Sequence, residues 1–112
     1  MQQSSFTYSK TAIVQPGGHI GSANAAALQQ QLAEAISAQE CTSLLVDMSK
    51  VESLDSTGLM ALVSTLTLAQ RLDKQFGLFG ISPAVRIVLE LTQLDRIFDI
   101  FEEHPAQGIA VA

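Results

Sequence analysis

Tryptophan is missing from this chain and tyrosine occurs once beside five phenylalanines, so a core has to be built mainly from Leu, Ile, Val and Ala. Cysteine also occurs once, at Cys41, which excludes an intrachain disulfide and fits a reducing compartment. Cys41 has no Lys or Arg neighbour to favour a thiolate and reads as a small buried residue. The six basic residues (Lys10, Lys50, Arg71, Lys74, Arg86 and Arg96) are scattered, and against eleven acids they leave a formal charge of −5. Without a basic stripe to neutralise phosphates, nucleic acid is excluded as a partner class, and an anionic membrane surface is disfavoured for the same reason. No apolar run approaches the ~20 residues that span a bilayer. The start, Met1 to Ser5, has neither a basic cluster nor an apolar signal core. These absences describe a soluble, cytoplasmic protein.

What remains is 112 residues, 47% of them apolar, with no linker, repeat or low-complexity run. The chain therefore reads as a single domain, 1–112, with its core over about 5–101. Ser5–Tyr8 and Ala12–Gln15 read as a β-hairpin ended by Pro16-Gly17-Gly18. Ser22 reads as the N-cap of a helix whose Ala25, Leu28, Leu32, Ala35 and Ile36 share one face. Leu44–Met48 reads as a buried strand, of a kind that needs cover on both faces. The spacing then predicts a helix over Thr57–Lys74, with Leu59, Leu62, Val63, Leu66 and Ala69 inward and Gln70, Asp73 and Lys74 toward solvent. Phe76–Ile81 is the next strand. Ser82-Pro83 supplies a cap and a proline at the first helical position, opening a helix that carries Val85, Val88, Leu89 and, as a further candidate, Leu91. Ile97–Phe101 reads as the last strand.

This β-β-α-β-α-β-α-β order belongs to the α/β class: a mixed, mostly parallel sheet of four or five strands with helices packed against it. Right-handed crossovers would gather Gly17–Asn24, Glu52–Gly58 and Ile81–Pro83 on one side, where ligands and partners of such sheets dock.

The segment that carries chemistry is Leu54-Asp55-Ser56-Thr57-Gly58-Leu59, at a strand-to-helix junction. A helix N-terminus offers free N–H groups and the positive dipole end, which favour an anion. Ser56 fits two roles: a plain cap worth ~1 kcal/mol, or the acceptor of a phosphate carrying about −1.5 to −2 charge. Asp55 fits an N-cap, an acceptor for the Ser56 hydroxyl, or a group that orients it. Thr57 is either a locally satisfied first-turn residue or a second phosphorylation site. Gly58 either admits a close partner or relieves crowding. Of Leu59 and Met60, one should face the core and the other a partner. No G-x-S-x-G elbow surrounds Ser56, no G-x-x-x-x-G-K-[ST] loop is present, and His19 and His104 lack ligand-spaced companions. Neither catalysis nor a metal or cofactor is expected.

Asp55-Ser56-Thr57-Gly58-Leu59 after Leu44–Met48 and Ser49–Leu54, followed by Gly80-Ile81-Ser82-Pro83-Ala84-Val85 and Leu91-Thr92-Gln93-Leu94, resembles the STAS domain of anti-sigma factor antagonists over about Ser5–Phe101. The resemblance implies a STAS-like fold and a partner switch. The unphosphorylated protein would bind an anti-sigma factor that is also a serine kinase of the histidine-kinase-like ATPase type, releasing its client. Phosphorylation, at Ser56 by the family pattern and at Thr57 as the alternative, would end binding, and a PP2C-type phosphatase would restore it. The partner surface so implied comprises Asp55, Ser56, Thr57, Gly58, Leu59, His19, Gly21, Asn24, Ser82 and Pro83. Many relatives carry an acid in the loop after the second strand. Gly21 stands about there, leaving Asn24 and His19 as the polar groups. A STAS module with another client, such as a stress-complex scaffold or a lipid-transport subunit, is the alternative.

Overall fold

Apolar residues three and four apart wind α1 (Ala25–Ser37) and α2 (Ser56–Arg71) into amphipathic helices that pack on each other. Leu28, Leu32 and Ile36 of α1 and Leu59, Leu62 and Ala69 of α2 are buried, as their spacing predicts. This computed structural model describes residues 10–102. The main sheet has four strands, β1 (Thr11–Val14), β3 (Ser43–Asp47), β5 (Gln75–Phe79) and β6 (Asp99–Phe101), in the order β1-β3-β5-β6. Each neighbouring pair is parallel, with Leu44 opposite Ala12 on one side and Phe76 on the other. β2 (Gly17–Ile20) and β4 (Lys50–Leu54) form a separate parallel pair. The third helix, α3 (Pro83–Leu91), packs against β4.

Alternation along β3 divides the core. Leu44 and Val46 join the cluster that holds the helices, whereas Leu45 points the other way onto Phe79 and Phe101. Among the described residues that smaller cluster contains no helical residue, and Leu45 packs there against aromatic rings of β5 and β6.

Several expectations are corrected. The Gly17-Gly18 pair does not merely end a strand; it begins β2. β4 occupies Lys50–Leu54, where no strand was expected, and the pairing of the two skips a residue between Gly18 and His19. α1 is entered from Asn24 rather than Ser22, and the Gly21 carbonyl accepts from Asn24 N (3.0 Å) and Ala25 N (2.7 Å). α2 stops at Arg71, three residues early, and Asp73 turns left-handed at φ 60°. Lys74 does not point to solvent. Its Nζ donates to the carbonyls of Ile36 (2.8 Å) and Ala38 (3.0 Å), placing a cation at the negative dipole end of α1. Leu91 is 80% exposed and takes no part in the core. The last strand begins at Asp99, after a 3-10 turn at Leu94–Arg96, and Phe98 is buried 6.0 Å, centroid to centroid, from the Phe76 ring. The Ser5–Tyr8 half of the expected hairpin lies outside the described residues.

Leu62 is fully buried where α2 meets the core, so Leu62→Ala should cost about 2–5 kcal/mol of stability. Leu91→Ala should stay within about 0.5 kcal/mol. Urea unfolding of both variants checks the pair.

Candidate functional site

β4 ends at Leu54 and the chain turns through Asp55 into α2. Asp55 is extended (φ −103°, ψ −170°), and its N–H donates to the Ile20 carbonyl at 3.1 Å, holding the start of α2 against the end of β2. Its Oδ1 accepts from Thr57 N at 2.9 Å, from Gly58 N at 3.2 Å and from the Thr57 hydroxyl at 2.6 Å. The Leu59 N–H donates to the Asp55 carbonyl at 2.9 Å. These bonds, the Thr57 hydroxyl foremost and then the Gly58 N–H, hold the Asp55 carboxyl below its ordinary value, and the nearby His19 ring adds slightly in the same direction. Of the roles open to Asp55, the geometry selects the N-cap.

A second loop closes on the same carboxylate. Asn24 organises it: Nδ2 donates to the His19 carbonyl at 2.9 Å, and Oδ1 accepts from Gly21 N at 2.8 Å. The His19 ring lies between Ser53 and Asp55, with Nδ1 2.7 Å from Ser53 Oγ and Nε2 3.7 Å from Asp55 Oδ2. A Cβ at Gly21 would stand 2.6 Å from both Asp55 Oδ2 and His19 Nε2. An acid at position 21 would have to displace both side-chain ends and would set a second negative charge against Asp55. Ser53 was missed by sequence reasoning. The only signal was its place in an unrecognised strand, where His19 and Ser53 are register partners.

Serine, histidine and aspartate meet here without a hydrolytic geometry. The Asp55–His19 separation exceeds a hydrogen bond, and the other Asp55 oxygen is committed to α2. The His19 and Asp55 side chains are 57% and 45% exposed. The described residues hold no group of three His, Cys, Asp or Glu side chains able to bind a metal, and no helix long and apolar enough to cross a membrane.

Ser56 is the first residue of α2 and is exposed, and its hydroxyl has no hydrogen-bond partner among the described residues. Two of the N–H groups expected to attract an anion, those of Thr57 and Gly58, are taken by the Asp55 side chain, and Leu59 N–H makes the first intrahelical bond to the Asp55 carbonyl, which leaves the N–H of Ser56 without a partner among the described residues. Gly58 is buried, and a Cβ there would lie 2.7 Å from the Ile20 carbonyl oxygen. Leu59, named for the partner surface, is buried in the core; Met60, 57% exposed, is the apolar side chain turned outward. Met60 also borders a shallow groove between α1 and α2 with Gln29, Ala33 and Arg71. Ser82 Oγ caps α3 by accepting from Val85 N at 3.3 Å, with Pro83 at the first helical position. No hydrogen bond among the described residues joins Ser82 to the Asp55 network.

Two predictions follow from these contacts. A glycine-to-alanine change inside an open helix gains about 1 kcal/mol, but Gly58→Ala should destabilise by about 1–3 kcal/mol because its Cβ meets a backbone oxygen. Gly21→Ala should cost less, since the atoms it meets are side-chain ends that can swing away; chemical denaturation ranks the two. Asp55→Asn keeps a cap and removes the charge. Because the folded carboxyl is held below its unfolded value near ~3.9, the charged form stabilises the fold above that pH, and the benefit fades as pH falls through the lower folded value. Wild type should therefore exceed Asp55→Asn in stability by a constant margin near neutrality and converge with it in acid, as read by unfolding from pH 7 down to about 2.

A family model described as the STAS domain matches residues 6–106. The anti-sigma-F factor antagonist RsfB of Mycobacterium tuberculosis is 33% identical over 92 residues, covering 80% of this chain and 72% of that protein. The crystal structure of an anti-sigma factor antagonist from Mycobacterium paratuberculosis is 30% identical, aligns over 91% of this chain and 86% of its own, and gives a TM-score of 0.77. The Bacillus cell fate determinant SpoIIAA, solved in its phosphorylated form, is 14% identical and shares the fold, with a TM-score of 0.70 over 95% of this chain and 94% of its own. With its parallel sheet, helix-capping Asp55 and near-complete match to the family model, this chain belongs to the STAS family.

Proposed function

We propose that this chain is a cytoplasmic anti-sigma factor antagonist that works as a binding partner and is switched by phosphorylation of Ser56. The observation that carries this reading is the free, exposed hydroxyl of Ser56 at the first position of α2, on a junction fixed by Asp55. Relatives named as anti-sigma factor antagonists support it, as does a fold shared with SpoIIAA, a protein solved in both unphosphorylated and phosphorylated forms.

In this reading the unmodified surface formed by Ser56, Thr57, Met60, His19 and Asn24 docks on an anti-sigma factor that is also a serine kinase of the histidine-kinase-like ATPase type. Gly58 and Leu59 shape that surface from beneath, and Ser82-Pro83 lies at its border. A phosphate on Ser56 would stand beside the Asp55 carboxylate with the Thr57 and Gly58 N–H groups already engaged. The fold need not move. The repulsion and lost desolvation balance fall on the partner, and every ~1.4 kcal/mol is tenfold in affinity. A PP2C-type phosphatase would reset the surface.

Incubation with ATP and an extract of native cells should add one phosphate by intact mass, and Ser56→Ala should block it. Ser56→Asp should weaken capture of the partner by at least about tenfold while its circular dichroism matches wild type. Wild type that stays unmodified, or an Asp variant that binds as tightly as wild type, overturns the switch and leaves a STAS module serving another client.

A further inference from the structure

The junction presents two hydroxyls one residue apart, yet they stand in opposite states. Thr57 Oγ1 is 2.6 Å from Asp55 Oδ1 and donates its proton to that carboxylate, whereas the Ser56 hydroxyl is exposed and has no partner among the described residues. Asp55 cannot turn from one to the other without loss. Oδ1 also holds the N–H groups of Thr57 and Gly58, and Oδ2 faces His19 Nε2 at 3.7 Å above Gly21. Ser53 fixes the far side of that imidazole through a 2.7 Å contact at Nδ1.

The geometry points to Asp55 as the residue that makes phosphorylation selective, sequestering the Thr57 hydroxyl so that Ser56 alone is offered to the kinase. The inference rests on the phosphorylation reading above and concerns how the modified residue is chosen. In the transfer, an Oγ–P bond forms as the bond between the γ-phosphorus of ATP and its bridging oxygen breaks. ADP leaves, and the hydroxyl proton passes to a base on the kinase. To react, Thr57 Oγ1 would have to break a charge-assisted hydrogen bond and aim its lone pair outward, where a carboxylate stands beside the incoming phosphoryl oxygens. Ser56 meets neither obstacle. Asp55 thus acts here as a positioning residue, through Thr57 and without itself touching the transferred group.

The test locates the phosphate by tandem mass spectrometry after incubation with ATP and native-cell extract. Four chains are compared: wild type, Ser56→Ala, Asp55→Ser and the double change Asp55→Ser/Ser56→Ala. Serine at position 55 keeps a capping oxygen for the backbone donors but removes the carboxylate. Wild type should carry its phosphate on Ser56, and Ser56→Ala should leave Thr57 nearly unmodified. In Asp55→Ser the ratio of Thr57 to Ser56 phosphate should rise roughly tenfold or more, the scale of losing one charge-assisted hydrogen bond. The double variant should be modified on Thr57. Circular dichroism of Asp55→Ser that matches wild type separates this shift from a general loss of structure, which would also release Thr57. An unchanged ratio in Asp55→Ser, or no phosphate on either residue of that variant, overturns the inference and makes Asp55 a kinase contact. Unmodified wild type overturns the phosphorylation reading itself, so the two failures appear in different chains.

Discussion

The Asp55 carboxylate is the contact on which the functional end of this domain depends. Oδ1 closes the first turn of α2, the backbone N–H ties that turn to β2 through Ile20, and Oδ2 meets the His19 loop. Two segments far apart in sequence, the end of β2 with its loop and the start of α2, are thereby registered on one residue. Gly58 completes the arrangement, because α2 can approach the Ile20 carbonyl only where no Cβ intervenes. An exposed charge can hold such a junction because Oδ1 alone gathers three donors: each is a backbone or hydroxyl group fixed by the start of α2.

Beneath this junction the fold supplies rigidity by ordinary means. Leu32, Ile36 and Leu62 are sealed between the two long helices and the sheet, and Lys74 fastens the far end of α1 by donating to the Ile36 and Ala38 carbonyls. The site end of the molecule is polar and exposed, whereas the opposite end of α1 and α2 is clamped. Surface chemistry can therefore change at Ser56 without disturbing the core, as a binding module that must survive modification requires.

Much of this was legible in the sequence, and the failures have physical causes. The α1 and α2 stripes, the buried run at β3 and the Ser82-Pro83 start of α3 each have a local pattern that packing reinforces. β2 and β4 have none. Gly17-Gly18-His19 reads as a turn, and Lys50–Leu54 mixes charges with apolar residues; both become strands only because they pair with each other across more than thirty positions. At the site, Asp55 and Ser56 stood out because helix-start chemistry is local. The role of Gly21 did not, since the atoms that crowd a side chain there come from His19 and Asp55, which are brought together by the β2–β4 pairing. Lys74 was misplaced for a similar reason: its acceptors are carbonyls of another helix, and no periodicity within α2 could announce them.

The occupied cap also alters how an anion at this helix start should be understood. A helix N-terminus usually welcomes a phosphate through free N–H groups. Here those of Thr57 and Gly58 already serve the Asp55 side chain, leaving the N–H of Ser56 itself, so a phosphate on Ser56 would add charge beside charge in a chain that already carries −5. Little in the domain would neutralise it. The field of the added phosphate would then reach outward across the Ser56–Met60 face with little internal compensation. An approaching protein would sense the modification there at full strength, while the capped helix and the packed core behind it stay as they were.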